Sequence, residues 1–100
     1  MDSRLQPLAG LDRDIHEPAR LIIVATLYAA EEADFLFLQR ETALTKGNLS
    51  SHLGKLEQAG YVEIEKSFRG KIPLTICRLT QSGRAAFDRY RATLKKALSV

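Results

Sequence analysis

The residues best suited to chemistry are short polar and cationic side chains gathered in one stretch. Lys46, Asn48, Ser50, Ser51 and Lys55 lie close together in the chain, with Gly47 and Gly54 between them. Such side chains suit hydrogen bonding to base edges or phosphates, and the small residues let a backbone approach a surface closely. A second group, Lys66, Arg69 and Lys71, surrounds Gly70 and concentrates positive charge around one turn. Catalysis has less to work with. Glu31, Glu32 and Asp34 have no histidine or nucleophile beside them and read as capping and solubility residues, not an acid–base pair. No phosphate-cradling glycine loop or nucleophile elbow is present, so the chain reads as a non-enzyme. The single cysteine, Cys77, excludes an internal disulfide, and with only His16 and His52 beside it no metal site and no cofactor are expected.

These groups have to be positioned by helices and a hairpin. Leu49, Leu53 and Leu56 fall at i, i+4 and i+7, one buried stripe of a helix over 46–59. Stepping 100° per residue puts Gly47, Ser51, Gly54 and Gln58 opposite that stripe, with Asn48, Ser50 and Lys55 flanking them. His52 falls at the stripe's edge and reads as a half-buried packing residue. Thr45 caps this helix, and Gly60 stands where a left-handed end is needed. Upstream, Pro18 suits a first helical turn, and residues 20–30 are apolar nearly all round, which requires burial on more than one side. In so small a domain that predicts a second chain against this helix. Asp34 caps a short helix over 35–42. Residues 1–14 read as a tail or short helix.

After Gly60 the period becomes two. Val62, Ile64 and Lys66 alternate with Glu63, Glu65 and Ser67, as in a half-buried strand. The Arg69-Gly70-Lys71 turn leads to a returning strand over 74–79, with Pro73 tolerable only at its start or edge. Cys77, in mid-strand, reads as an inert buried thiol. Thr80 caps a last helix over 81–98, where Gly83, Phe87, Tyr90, Leu94 and Ala97 recur at heptad spacing.

The composition is that of an ordinary soluble domain. The chain has 100 residues, 45% hydrophobic and 27% charged, which predicts a single domain over 1–100 with one modest core. The net charge of +3 is unevenly distributed: −4 over 1–44, +3 over 45–80 and +4 over 81–100. The last share, Arg84, Arg89, Arg91, Lys95 and Lys96, reads as the solvated outer face of the final helix. No apolar run is long enough to span a bilayer and no signal peptide is visible, so the expected location is the cytoplasm, with no membrane partner.

Helix, helix, turn, helix, basic-tipped hairpin, helix: the fold class is mainly α with a two-stranded β-wing, a winged helix-turn-helix. The third helix would then enter a major groove of double-stranded DNA, and the wing over 66–73 would reach the flanking backbone or minor groove. The segments LDRDIHEPARLIIVATL (Leu11 to Leu27), TKGNLSSHLGKLEQAGYV (Thr45 to Val62) and LTQSGR (Leu79 to Arg84) resemble the small winged-helix transcriptional regulators related to the MarR and ArsR groups. The resemblance runs from Leu11 to Leu98. It implies a homodimeric, cytoplasmic, DNA-binding repressor or activator, with recognition helix 46–59 and wing 66–73. Two departures stand out. Leu36 and Phe37 occupy usually polar positions, which turns that face toward the N-terminal segment or a partner, and Cys77 replaces a common aromatic.

The excess apolar surface on both terminal elements predicts a dimer interface built from Leu21, Val24, Phe87, Tyr90 and Leu94. The competing function is a protein-interaction winged helix within a larger assembly, since Glu57, Glu63 and Glu65 would repel a phosphate backbone they faced. No residue identifies a small-molecule effector, which in so short a chain would have to bind between the two copies.

Overall fold

The computed structural model describes Ser3–Ser99; residues 1, 2 and 100 lie outside it. A 3-10 helix, Ser3–Gly10, fills most of the segment expected to be a tail or short helix. Helix α1, Pro18–Ala30, begins with Pro18 in its first turn, and the Glu17 carboxylate accepts the Arg20 backbone N–H at 2.8 Å. Ile23, Val24 and Leu27 of α1 are fully buried. They pack within the chain, where α1 contacts the three α-helices that follow it and two strands of the sheet. The second burying surface expected from another copy is therefore supplied largely by the protomer itself.

Strand β1, Glu32–Asp34, follows directly, and Asp34 then caps helix α2, Phe35–Thr42, by accepting the Phe37 N–H at 2.8 Å. Ala43, left-handed at φ 56°, closes the turn into helix α3, Lys46–Gln58, whose cap Thr45 accepts the Asn48 N–H at 3.1 Å. Gly60 supplies the left-handed end at φ 81°, with its N–H on the Glu57 carbonyl and that of Tyr61 on Leu56, both at 3.0 Å. That closure turns the chain into strand β2, Val62–Arg69, which pairs antiparallel with strand β3, Ile72–Leu79, across the tight turn at Gly70. Pro73 lies near the start of β3, beyond the reach of β1, where an edge of the strand is open.

The sheet has three strands, ordered β1-β3-β2, where the sequence suggests two. Glu-Ala-Asp carries no β-pattern of its own. It becomes a strand because the second edge of β3 needs partners, and Ala33 registers against the buried Cys77.

Helix α4, Gln81–Leu98, starts at Thr80, whose hydroxyl accepts the Gly83 N–H at 2.9 Å. Its heptad stripe corrects the expected dimer interface. Phe87 and Tyr90 are only 7% and 5% exposed within the single chain, and Val24 of α1 is 0% exposed. These three are core residues, with Phe87 and Tyr90 ring against ring at 6.2 Å and Tyr28 edge-on to Phe87 at 5.1 Å. Leu94 is different: it is half-buried, while Ala97, the last residue of the stripe, is buried, and the 3-10 helix packs against α4. Leu36 and Phe37 are not covered by that N-terminal helix and stay exposed.

Two positions in this frame give direct tests. A Cβ at Gly83 would stand 2.2 Å from the Tyr61 carbonyl oxygen, a backbone atom that cannot step aside. Gly83→Ala therefore destabilises the fold by about 2–3 kcal/mol despite alanine's better helix propensity, read as a lower urea midpoint with unchanged slope. Burial pushes the Cys77 thiol up to about 11, aided by the charges of Glu57 and Asp34. It stays protonated in the native protein at pH 8, so a disulfide reagent labels nothing until denaturant is added, then one thiol per chain. The unfolded thiol ionises near 9 and the folded one near 11, so this contribution to stability is complete below 9 and is lost as the pH rises to 11.

Candidate nucleic-acid interface

The orientation of α3 follows from its leucines. Leu49, Leu53 and Leu56 are buried in the common core with Ile23, Leu27 and Leu38, so the opposite face must look outward. Lys46, Gly47, Asn48, Ser50, Ser51 and Lys55 are all exposed there. On the hairpin, Lys66, Arg69 and Lys71 are exposed as well. Among the described residues no ion pair engages any of these five cations.

An open groove of about 550 Å³ runs between α2, α3 and the hairpin. Lys46 and Ser50 from α3 and Lys66 from β2 line it together, so the structure joins part of the helix set to part of the wing set. Asn48, Ser51, Lys55, Arg69 and Lys71 lie outside the groove, on the helix surface and the hairpin tip.

The acids sort differently. Strand alternation puts Glu63 and Glu65 on the sheet face opposite Val62, Ile64 and Lys66. There Arg78 donates through Nε to Glu32 at 2.8 Å and through a terminal nitrogen to Glu65 at 2.9 Å. Those two carboxylates hold the guanidinium pKa above its ordinary value. Glu57, by contrast, lines the groove itself.

Sequence reasoning missed the residue that secures α3 to the rest of the chain. Arg20 is 9% exposed and is the one charged side chain buried among the described residues. Its Nε donates to the Asp14 carbonyl at 2.7 Å, one terminal nitrogen to the Arg13 carbonyl at 3.2 Å, and the other to Nδ1 of His52 at 3.1 Å. The last contact requires Nδ1 to be unprotonated, hence a neutral ring with its proton on Nε2. Glu17 lies 3.6 Å from the same Nδ1 and 4.0 Å from the guanidinium. Burial raises the Glu17 carboxyl, but backbone N–H groups of Arg20 and Ala19, with the positive charge of the Arg20 guanidinium, outweigh it, leaving its pKa below the ordinary value. An arginine three residues into an apolar helix carries no sequence mark that it will be buried.

The loop before α1 is held at two further points. The Tyr61 hydroxyl donates to Asp12, and that hydrogen bond, with burial, pushes its pKa up to about 12. His16 shares a 2.9 Å hydrogen bond with the Tyr90 hydroxyl on α4. On α4, Arg84 and Arg91 lie over the Tyr28 ring at 4.6 and 5.4 Å, so two of the five terminal cations pack on this protomer.

Comparison with known proteins agrees with this geometry. The family model of a winged helix DNA-binding domain matches residues 19–98. An uncharacterized protein of Methanocaldococcus jannaschii is 44% identical over 72 residues, covering 71% of this chain and 77% of its own. The structure of a transcriptional regulator homologue from Pyrococcus horikoshii superposes with a TM-score of 0.87 at 29% identity, covering 94% of this chain and 95% of that one. A protein of Enterococcus faecalis assigned to the MarR family of transcriptional regulators shares the fold, with a TM-score of 0.78 at 20% identity over 99% and 88% of the two chains. The chain belongs to the winged helix DNA-binding domain family, and its fold is that of the MarR-like transcriptional regulators.

Proposed function

We propose that this protein is a sequence-specific transcriptional regulator that binds duplex DNA as a homodimer. In this reading α3 lies in the major groove, and the hairpin over 66–73 rests on the flanking backbone or minor groove. The observation that carries it is the set of unpaired cations. Lys46 and Lys66 border one groove, Lys55, Arg69 and Lys71 extend from it, and among the described residues none of them is held in an ion pair. Asn48, Ser50 and Ser51 stand among them, with donors and acceptors suited to base edges. Glu65, whose charge would favour a protein-docking role instead, is occupied by Arg78 on the other face of the sheet.

Homodimerisation is supported by the apolar surface that remains after the core is filled. Leu21 and Leu94 are half-buried, and Ile22, Leu98 and Leu5 are exposed on α1, α4 and the 3-10 helix. A two-fold axis pairing these patches would set two copies of α3 against half-sites about one helical turn, roughly 34 Å, apart. Among the described residues no helix is long and apolar enough to cross a membrane. We place the protein in the cytoplasm, where its DNA would be.

Two experiments test the two parts separately. Leu94→Glu puts a charge into the proposed interface and is expected to convert a sedimenting dimer into a monomer without loss of helical circular dichroism. A wild-type monomer at micromolar concentration removes the dimer. Ser51→Ala should cost about 1–3 kcal/mol on a cognate duplex and relax base preference there, whereas Arg69→Ala should weaken all duplexes alike and lower the salt slope by about one. The reverse pattern, Arg69→Ala changing preference and Ser51→Ala changing nothing, would make the hairpin the reader.

A further inference from the structure

We infer that the hairpin tip is an apolar wedge for the DNA minor groove, with Phe68 and Ile72 opening a base step while the surrounding cations hold the phosphates on both walls. The inference rests on the DNA-binding reading above and adds a deformation to it. Phe68 and Ile72 are 69% and 68% exposed, and the protomer gives neither a packing partner in its core. Leaving two large apolar side chains in water serves nothing in the free chain, so their partner lies outside it.

The register says what kind of partner fits. Ile64 registers against the buried Cys77, and the pairs Glu65–Ile76, Lys66–Thr75, Ser67–Leu74, Phe68–Pro73 and Arg69–Ile72 continue beyond it. Those five pairs carry the tip roughly 16 Å past Cys77 at about 3.3 Å per residue. Alternation puts Lys66, Phe68 and Pro73 on one face of the ribbon and Arg69 with Ile72 on the other, while Lys71 stands in the turn. Each face thus carries both an apolar side chain and a cation. A ribbon that enters a groove has a wall on either side, and each wall of a minor groove is sugar carbon below and phosphate above. That two-sided match is hard to reconcile with a single flat protein surface. A second copy docking tip to tip would bring Lys66, Arg69 and Lys71 against their equals, and their repulsion opposes it.

Size makes the entry a deformation. Paired strands lie about 4.8 Å apart, and a B-form minor groove is about 6 Å wide, so the tip with its side chains enters only by widening it. Apolar side chains inserted at a base step do this, and pyrimidine–purine steps yield most easily. The wing is therefore expected to select a flexible step by its deformability, without hydrogen bonds to its bases.

The test uses the full chain and a duplex selected by it from a random pool, labelled at both ends for energy transfer. Two versions differ only at the step under the wing, TA in one and a GC step in the other. The wild type is expected to bend the TA duplex by about 20–90° and to favour it about tenfold. Phe68→Ser with Ile72→Ser should abolish the bend and the preference while keeping the salt slope; Phe68→Trp should retain both; Arg69→Ala should lower the slope and keep the bend. A doubly substituted chain that folds, binds and still bends the duplex overturns the wedge, as does a wild type that binds without bending. If the double substitution instead changes the sedimenting mass of the free protein, the tip is a protein contact and the wedge is wrong. A wild type that selects no duplex defeats the DNA-binding reading itself, an outcome distinct from binding without a bend.

Discussion

Everything outward in this molecule depends on how α3 is held. A helix offers a partner only the face its core leaves free, and Leu49, Leu53 and Leu56 fix its rotation by filling the space against α1 and α2. Leucines alone leave a helix some freedom to slide along its own ridge. The Arg20 guanidinium opposes this, because its three hydrogen bonds span the loop before α1 and His52 on α3. A buried guanidinium that loses a partner incurs a desolvation penalty, so the strut is stiff in a way an apolar contact of similar area is not. Glu17 adds the counter-charge while also capping α1. One small cluster therefore sets the start of α1 and the placement of α3 together.

The second organising feature is the separation of charge by strand alternation. Had β2 slipped by one residue against β3, Glu63 and Glu65 would have changed faces with Ile64 and Lys66. The observed register puts Glu65 beside Arg78, which also holds Glu32 of β1, so the short first strand is tied to the sheet by side chains as well as by backbone. The cost of an acidic residue beside a cationic surface is thereby contained within the sheet. Glu57 is the exception: it lines the same groove as Lys46 and Lys66, and its charge lowers the positive potential there.

Much of this was legible in the sequence, and the reasons for the remainder are specific. Caps were readable because they are local: Asp34, Thr45 and Thr80 each bond an N–H three residues on. Gly60 was readable for the same reason. The exposed set on α3 followed from a three-leucine stripe. What failed was non-local. β1 exists only because β3 has an edge to fill, and nothing in Glu-Ala-Asp announces it. The heptad stripe of α4 was correctly seen as buried, but spacing does not say against which chain, and Phe87 and Tyr90 turned inward. Arg20 looked like any first-turn arginine, since its burial depends on two carbonyls of a loop six and seven residues earlier.

That last failure bears on how the parts communicate. The loop before α1 is bonded to three elements at once: to α3 through Arg20 and His52, to the α3–β2 corner through Asp12 and Tyr61, and to α4 through His16 and Tyr90. Ile15, fully buried at its centre, keeps it from lifting away. The helix whose far end carries Leu94 and Leu98 is thus linked to the helix that carries Asn48, Ser50 and Ser51 through short, directional contacts, without a flexible joint between them. In a 100-residue chain the surface proposed for self-association and the surface proposed for DNA must behave as one body.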